Sequence, residues 1–286
     1  MIASRRLLLG VFILTLVSNQ LIITASAISK DRKFASPEDF PTGLTSDGEY
    51  LWVCDYGSEM IYKVNPDDGS VIASFSTPDN DPVGLAWDGE YLWHVDGGRA
   101  WDLGQEAVIF IYKIDPQNGD ATKMFEAPGG FVAEDLAWGD GYLWYVDGES
   151  GEGDWGTTTI YKIDVSNGDV VKEFSAPGSE PSGLTWDGSH LWHSDSGTSN
   201  IYLINPDNGE VIDSFKAPSK YPDSLAWDGS NLWCADWDSE EIYSVDVSSF
   251  LNPEQEEKSG GIPGFPILAI AIGIFLSLFM IKKVQS

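Results

Sequence analysis

The chain has 286 residues, of which 45 are acidic and 16 are basic, and its formal net charge at pH 7 is −29. So little positive charge argues against binding to nucleic acid, which depends on neutralising phosphates, and against docking on anionic lipid. The acidic balance is compatible with cation binding, with cationic partners, or with a surface adapted to salt.

The first segment has the pattern of a secretory signal. Residues 1–27 contain Arg5 and Arg6, an apolar stretch and a closing Ala-Ser-Ala, which together are typical of a cleavable signal peptide. Because Ser-Asn-Gln at 18–20 interrupts the apolar run, an uncleaved membrane anchor is the alternative. In both cases we expect the domain that follows to lie outside the cell.

One phrase is then repeated five times, and GLAWDGEYLWHVD at 84–96 is a complete copy. Its Leu-Trp pair recurs at intervals of 41 to 51 residues, and an Asp always follows three positions after the Trp. An Ile-Tyr pair comes next, and the first four copies add an Asn-Gly or Asp-Gly turn and a Phe-x-x-Pro. The repeated tryptophans are Trp52, Trp93, Trp144, Trp192 and Trp233.

Each copy predicts four antiparallel strands. Its short runs are rich in aromatic and β-branched residues, as at 92–95 and 111–114, which favours strands. The Asp-Gly and Asn-Gly pairs between them indicate hairpins with type I′ turns, which need positive φ at both central residues. Four such strands in a repeat of roughly 40–50 residues are the signature of a propeller blade. We therefore predict an all-β fold, a five-bladed β-propeller with blades starting near residues 43, 84, 135, 183 and 224.

The last blade lacks its own fourth strand, because the repeat stops at residue 247. Residues 33–36 match the sequence of a fourth strand, since Phe34 precedes Leu44 by ten residues and Phe75 precedes Leu85 by the same number. We predict that this N-terminal strand closes the propeller, which removes the sheet edges that an open array would expose. The domain would span residues 28–250 as a monomeric ring.

The C-terminal segment predicts a membrane anchor. A polar stalk at 251–261 leads into an apolar run at 262–281, and the basic tail at 282–286 follows. The run is long enough to span a bilayer, with the lysines of the tail on the cytoplasmic side. Pro-Gly-Phe at 263–265 resembles the PGF-type sorting signals of archaeal surface proteins, which implies that the tail is cut and replaced by a lipid anchor. The predicted location is the extracellular face of the cell membrane.

The two cysteines, Cys54 and Cys234, lie in blades one and five, which become neighbours when the propeller closes. A disulfide across the closure is one interpretation in an oxidising compartment. However, packed sheets lie about 10 Å apart, whereas a disulfide needs Cα atoms about 5.5 Å apart. Two buried free thiols are therefore the alternative, and neither cysteine suggests a metal site.

Residues that every blade shares are interpreted as scaffold. The Asp after each Leu-Trp can accept backbone N–H groups in the following turn, and the recurring Trp and Tyr are expected to pack between blades. The alternative is that the repeated carboxylates form a ring that holds a cation such as Ca²⁺. We predict no cofactor, with Ca²⁺ as the ion that such carboxylates would accept.

Function is therefore sought where the repeat departs from its own pattern. Blades two and three carry insertions at 97–106 and 148–156, on the face that also bears the blade-to-blade connections. Each insertion places a Trp beside an Asp, and exposed aromatic residues on loops suggest binding. The alternative is that each Trp folds back over its blade. The candidate ligand-binding residues are Trp101, Asp102, Asp154, Trp155, His94 and Tyr145.

A second departure lies where the innermost strands begin. The second residue of the pair that opens each innermost strand is Gly in blades one, two and four. At the same two positions, blade three has Glu134-Asp135 and blade five has Asp223-Ser224. Carboxylates at the mouth of the central channel would raise each other's pKa, as general acid–base chemistry requires. The alternative is that they are hydrated rim charges. Glu134, Asp135 and Asp223 are the candidate catalytic residues if the protein is an enzyme.

Over residues 33–247, Gly-Leu-x-x-Asp-Gly-x-x-Leu-Trp followed by Ile-Tyr-Lys-Ile-Asp-Pro-x-x-Gly resembles the glutaminyl cyclase (glutamine cyclotransferase) propellers. The pattern is also similar to NHL and YVTN-like propellers and to lyases of the virginiamycin B type. The cyclases tend to open with Phe-Thr-Gln-Gly-Leu, whereas residues 40–44 read Phe-Pro-Thr-Gly-Leu, so the glutamine is absent. The resemblance implies a carboxylate as general acid–base, and Glu134 is the candidate by its position.

Two functions follow from these features. The favoured hypothesis is a non-catalytic, surface-tethered module that binds an extracellular peptide, glycan or surface-layer protein through the Trp101 and Trp155 face. The alternative is a glutaminyl-peptide cyclotransferase-like or lyase-like enzyme that uses the carboxylates at the channel mouth. Membrane contact is expected only through the C-terminal anchor.

Overall fold

The computed structural model describes residues 30–97, 108–129, 132–148 and 158–251. Over these ranges the chain forms five antiparallel sheets of four strands each, which confirms the five-bladed propeller. The predicted signal peptide, the apolar run at 262–281 and the Pro-Gly-Phe signal lie outside the described residues. Among the residues that are described, no helix combines the length and hydropathy needed to cross a membrane.

The strands follow the repeat. The chain begins with β1 (Lys30–Ala35). Blade one contains β2 (Pro41–Ser46), β3 (Leu51–Asp55), β4 (Met60–Val64) and β5 (Val71–Ser76). Blade two contains β6 (Pro82–Trp87), β7 (Leu92–Asp96), β8 (Phe110–Ile114) and β9 (Ala121–Glu126). Blade three contains β10 (Ala133–Gly139), β11 (Tyr142–Asp147), β12 (Thr159–Asp164) and β13 (Asp169–Ser175). Blade four contains β14 (Pro181–Trp186), β15 (Leu191–Asp195), β16 (Asn200–Ile204) and β17 (Val211–Lys216). Blade five contains β18 (Pro222–Trp227), β19 (Leu232–Asp236) and β20 (Glu241–Val245), and α1 (Ser248–Leu251) follows it.

The N-terminal strand closes the propeller as predicted. β1 pairs antiparallel with β20, with Phe34 opposite Ile242, and the sheet order is β1-β20-β19-β18. The Lys33 ammonium lies 2.7 Å from the Glu241 carboxylate. The strand begins at Lys30, three residues before the predicted start. Blade five is therefore built from both ends of the domain.

The hydrophobic core lies between the blades. The five repeated tryptophans are at most 2% exposed, and each packs against a Phe of the outermost strand, as Trp52 packs on Phe75 with centroids 6.0 Å apart. Trp52 also contacts Leu85 and Leu92 of the next blade. The interpretation of the shared aromatic residues as scaffold is confirmed.

Among the described residues, only the first hairpin of blade three has the two consecutive positive φ angles that a type I′ turn needs. There Asp140 (φ 55°) and Gly141 (φ 78°) form a two-residue connection in which both φ angles are positive. In blade one the connection has four residues, and Gly48 has a positive φ (90°) but Asp47 does not. The carboxylate of Asp47 accepts two backbone N–H groups and the indole N–H of Trp52. The prediction was wrong for this kind of turn, because the side chain of the Asp organises a longer loop.

Of the two interpretations of the cysteines, the structure contradicts the disulfide and confirms the two buried free thiols. Cys54 and Cys234 are both free and buried. Cys54 packs with Leu85 of blade two, whereas Cys234 packs with Trp192 of blade four. Although blades one and five are neighbours, the two thiols point to opposite sides and away from each other. Burial raises the pKa of the Cys54 thiol, so it is an inert core group.

The end of the domain packs back onto the propeller. The Phe250 ring of α1 lies 4.8 Å from the Phe215 ring and 6.1 Å from the Trp192 ring. Leu251 packs against the same cluster. The predicted stalk was therefore placed one residue too early, and its remainder lies outside the described residues.

Candidate functional site

The innermost strands approach one another closely around the channel axis. Each begins with an irregular register against its neighbour, which is typical of a β-bulge. A Cβ atom added to Gly84 would lie 2.8 Å from the Cα atom of Asp135, and one added to Gly43 would lie 2.9 Å from the Val83 carbonyl oxygen. Three glycines in these five strands therefore bring the backbones together. The residues at this level are Gly43, Gly84, Asp135, Gly183 and Ser224.

The side chain of Asp135 occupies the central space that the glycines leave. It is completely buried, so its predicted position at the channel mouth was wrong. Its carboxylate accepts a 2.7 Å hydrogen bond from the hydroxyl of Ser224, which in turn accepts the backbone N–H of Leu44 at 2.8 Å. Asp135 also accepts the backbone N–H groups of Leu85 (3.3 Å), Leu136 (2.8 Å) and Leu184 (2.9 Å). One carboxylate thus links four blades directly and the fifth through Ser224.

This network makes Asp135 part of the framework. Burial raises the pKa of Asp135 well above its usual range, while its hydrogen bonds act in the opposite direction. A group that is enclosed and occupied in this way cannot contact a ligand from solvent.

Glu134 and Asp223 are the second residues of the innermost strands β10 and β18. Both are only partly buried, and the carboxylate of Glu134 lies against Gly148. Burial, followed by the charges of Asp223, Asp135 and Asp147, raises the pKa of Glu134 well above its usual range. Burial and the charge of Asp236 raise the pKa of Asp223 to about 8. The two carboxyl groups are close enough for the charge of one to affect the other.

This arrangement can hold a proton at neutral pH. A carboxyl group with a pKa above 7 can donate a hydrogen bond or transfer a proton, or it can accept an ammonium group as its partner. The neighbouring inward positions of blades one and four are filled by hydroxyl groups that bond the backbone of the next blade. Thr42 donates to the Pro82 carbonyl at 2.7 Å, and Ser182 donates to the Pro222 carbonyl at 2.6 Å. The carboxyls are thus the ionisable groups of the rim.

The repeated aspartates that end the second strands are structural, as predicted. Asp55 accepts the backbone N–H of Phe40 in the preceding connection and that of Ser58 in the following turn, both at 2.7 Å. Asp195 does the same in blade four. Within the described part of the chain, no three His, Cys, Asp or Glu side chains converge as metal ligands would.

His94 and Tyr145 lie between blades and not on the open face. Both are completely buried. Nδ1 of His94 donates to the Gly84 carbonyl at 3.0 Å, and burial lowers the pKa of His94 to about 4, so its imidazole is neutral. The Tyr145 ring stacks on Tyr161 with centroids 5.9 Å apart. Neither side chain is available to a ligand on the face of the propeller.

The other predicted ligand-binding residues, Trp101, Asp102, Asp154 and Trp155, lie outside the described residues. The structure shows instead two exposed aromatic residues that the sequence analysis missed, Phe40 and Trp237. The signal was available, because Trp237 follows the repeated Asp at a position that is Gly in blades two and three and Ser in blade four.

No protein-family model and no curated protein sequence matches the chain. Solved structures do match. Glutaminyl cyclase from Myxococcus xanthus has a TM-score of 0.57 and 14% identity, covering 77% of this chain and 95% of its own. Aldose sugar dehydrogenase from Streptomyces coelicolor has a TM-score of 0.53 and 13% identity, covering 77% and 97%. A chain of the nidogen/laminin complex has a TM-score of 0.52 and 19% identity, covering 73% and 76%. At these identities the likeness shows the fold alone.

Proposed function

We propose that the protein is a ligand-binding propeller displayed on the outside of the cell. The channel mouth, where the innermost strands begin, would bind an extracellular peptide, glycan or surface-layer protein through an amino group of the ligand. Export by residues 1–27 and attachment through 262–281, with or without exchange for a lipid anchor, belong to the same proposal. Trp101 and Trp155 would extend the site as an aromatic wall.

One observation carries this proposal, which is that two carboxyl groups, Glu134 and Asp223, lie near the start of the innermost strands and that the charge of Asp223 contributes to the raised pKa of Glu134. Both carboxyls have raised pKa values because the site is enclosed and because negative charges surround them. An ammonium group placed between them would offset that repulsion and lower both pKa values. Because Asp135 fills the axis, a ligand would approach from the face on which the innermost strands begin.

Paired peptides can test the proposal. Peptides immobilised through their C-termini would be presented to the full chain in detergent, each with a free and with an acetylated N-terminus, beside a glycan array. We expect retention of ligands with a free amino group and a loss of about tenfold or more for Glu134→Gln, since a desolvated charge pair contributes about 1.4 kcal/mol or more. Glu180→Gln changes an exposed carboxyl of blade four and is the matched control. Equal binding of free and acetylated peptides would refute the proposal.

A second candidate function rests on the raised pKa of Glu134. A glutaminyl-peptide cyclotransferase-like enzyme would use this carboxyl to move a proton from the attacking α-amino group to the departing ammonia, while the new C–N bond closes the ring of the product. Mass spectrometry of a peptide that begins with glutamine would detect the loss of ammonia. Turnover that disappears in Glu134→Gln would establish the enzyme, and absence of turnover would leave the binding function. A lyase-like reaction at the same carboxyls would need a different substrate.

A further inference from the structure

Two aromatic side chains lie exposed side by side where the propeller closes. Phe40 precedes β2 of blade one and Trp237 follows β19 of blade five, and they are 39% and 48% exposed. Their ring centroids are 5.7 Å apart. With the flanking acids Glu38, Asp39 and Asp238 they form what we call the seam patch. It lies on the same face as the channel mouth but uses different residues.

The backbone of the seam patch is held firmly. The N–H of Phe40 donates to Asp55 at 2.7 Å and its carbonyl accepts the N–H of Tyr56 at 2.9 Å. The aromatic ring of Phe40 covers Gly57, where an added Cβ would lie 2.8 Å from it. The turn that carries Trp237 is fixed by Asp236. Preorganised side chains lose little entropy on binding, so exposure here is a fixed property of the surface.

The patch is strongly acidic. Glu38, Asp39 and Asp238 are exposed, and among the described residues neither Glu38 nor Asp39 forms an ion pair. Lys220, near Asp238, is an example of a cation bound at this acidic and aromatic surface. Its ammonium lies 4.4 Å from the centre of the Tyr221 ring. Its interaction with Tyr221 is the main cause of its raised pKa, and the charge of Asp238 adds a smaller contribution.

Lysines elsewhere in the propeller occupy aromatic faces in the same way. Lys63 lies over Tyr50 at 4.2 Å, Lys113 over Tyr91 at 3.8 Å, and Lys162 over Tyr142 at 4.2 Å. Within the described ranges, no Lys or Arg lies over Phe40 or Trp237. These exposed faces thus have no cation from the described part of their own chain.

We propose that the seam patch binds an arginine- or lysine-bearing peptide segment of another protein. The cation lies against Phe40 and Trp237, and the flanking carboxylates neutralise it. The net charge of −29 favours approach of a basic partner. A neutral glycan could stack on the same rings but would gain nothing from the carboxylates, which is why a basic peptide is the better fit. The proposal is independent of the channel-mouth function because it does not involve Glu134.

Nuclear magnetic resonance of the full chain in detergent can test this directly. Indole nitrogens would be labelled with ¹⁵N, and Trp237→Phe would assign the signal of Trp237. We expect an acetylated peptide of alternating Gly and Arg to move that signal saturably. Trp237→Ala should weaken binding about two- to fivefold, since a cation–π contact at an exposed site contributes about 0.5–1 kcal/mol. Met124→Ala, at an exposed apolar side chain on blade two, is the control that should change nothing.

Charge variants and other probes complete the test. Glu38→Gln with Asp39→Asn should weaken binding and reduce its dependence on salt. An unmoved signal, or an equal shift with an alternating Gly and Glu peptide or with a neutral chitin oligosaccharide, would overturn the proposal. Binding that disappears in Glu134→Gln would overturn it as well, since the peptide would then be at the channel mouth. Melting temperatures of all variants confirm that the propeller remains folded.

Discussion

A single buried carboxylate organises the centre of this propeller. Asp135 accepts hydrogen bonds from backbone groups of blades two, three and four and from Ser224 of blade five, which in turn binds the backbone of blade one. In most buried environments an unpaired acid would be costly, but here its partners are backbone donors that point at the axis in any case. Gly84 makes room for it, because a Cβ atom at this position would lie 2.8 Å from the Cα atom of Asp135. The acid therefore satisfies donors that the close approach of the strands would otherwise leave unpaired.

Replacing Asp135 with Ala should destabilise the whole domain. Several buried donors would lose their acceptor, and each costs about 1–3 kcal/mol, so we expect the free energy of unfolding to fall by about 3 kcal/mol or more. Asp135→Asn keeps one acceptor oxygen, so its free energy of unfolding should lie between that of the parent and that of Asp135→Ala. Urea unfolding followed by circular dichroism measures the difference. Glu134→Gln is the adjacent control, and an Asp135→Ala variant as stable as that control would contradict the role assigned to Asp135.

The pKa of Asp223 predicts a dependence of stability on pH. Its pKa is 3.8 in the unfolded chain and about 8 in the folded protein. Between these values the folded protein holds a proton that the unfolded chain has lost, so stability falls as pH rises through this window. Asp223→Asn cannot ionise and should gain stability relative to the parent between pH 4 and pH 8. Glu134 contributes in the same direction in both proteins, because its pKa is also raised.

Urea midpoints at pH 4, 6 and 8 give the comparison for Asp223→Asn. The exposed Asp213, on the outermost strand of blade four, provides a control in Asp213→Asn, whose midpoints should run parallel to those of the parent. If the profile of Asp223→Asn ran parallel to the parent too, the carboxyl of Asp223 would not be protonated in the folded protein at neutral pH.

At the scale of one element, the first hairpin of blade three differs from its four counterparts. Elsewhere an Asp accepts the indole N–H of the repeated Trp, as Asp88 does for Trp93 at 2.9 Å. Blade three has Gly139 at this place, and the indole N–H of Trp144 has no partner in the described structure. Trp186 of the next blade explains the exception. An added Cβ on Gly139 would lie 2.5 Å from Cδ2 of Trp186, whose ring stacks on Trp144.

Restoring the repeat at this hairpin should therefore be harmful. We expect Gly139→Asp to lower the free energy of unfolding by about 1–3 kcal/mol, because overpacking forces Trp186 to move. Trp186→Ala removes the obstacle, so the same substitution should cost less in that background. Asp88→Gly, which gives blade two the glycine that blade three has at this position, should cost about 1 kcal/mol or more through its lost hydrogen bonds. A higher urea midpoint for Gly139→Asp would show that the missing Asp, and not the packing of Trp186, determines this hairpin.

At the scale of the whole molecule, the fold could be predicted because the sequence of each blade contains the pattern of its own strands and turns. Because the pattern occurs five times, a strand that is uncertain in one copy can be recognised from the others. The spacing of Phe34 to Leu44 indicated the closing strand. The site was less accessible to such analysis. Glu134 and Asp135 are adjacent in sequence, yet Glu134 is partly exposed whereas Asp135 is completely buried, and the strand register shifts between Ala133 and Asp135. The direction of a side chain at a β-bulge depends on residues that are close in space but distant in sequence. The type of a turn depends on such residues as well, and a short sequence pattern does not include them.

Closure of the propeller can be tested by comparing equivalent aromatic contacts. Phe34 on β1 lies 6.0 Å from Trp233, and Phe75 on β5 lies 6.0 Å from Trp52. Both Phe side chains are partly buried, so each change to Ala should cost about 2–4 kcal/mol, somewhat below the range for fully buried Phe. Equal losses in urea unfolding are expected if β1 is a full member of the cooperative fold. A much smaller loss for Phe34→Ala, with fast hydrogen exchange at Tyr243 and its neighbours on β20, would mean that β1 opens separately and exposes the edge of β20.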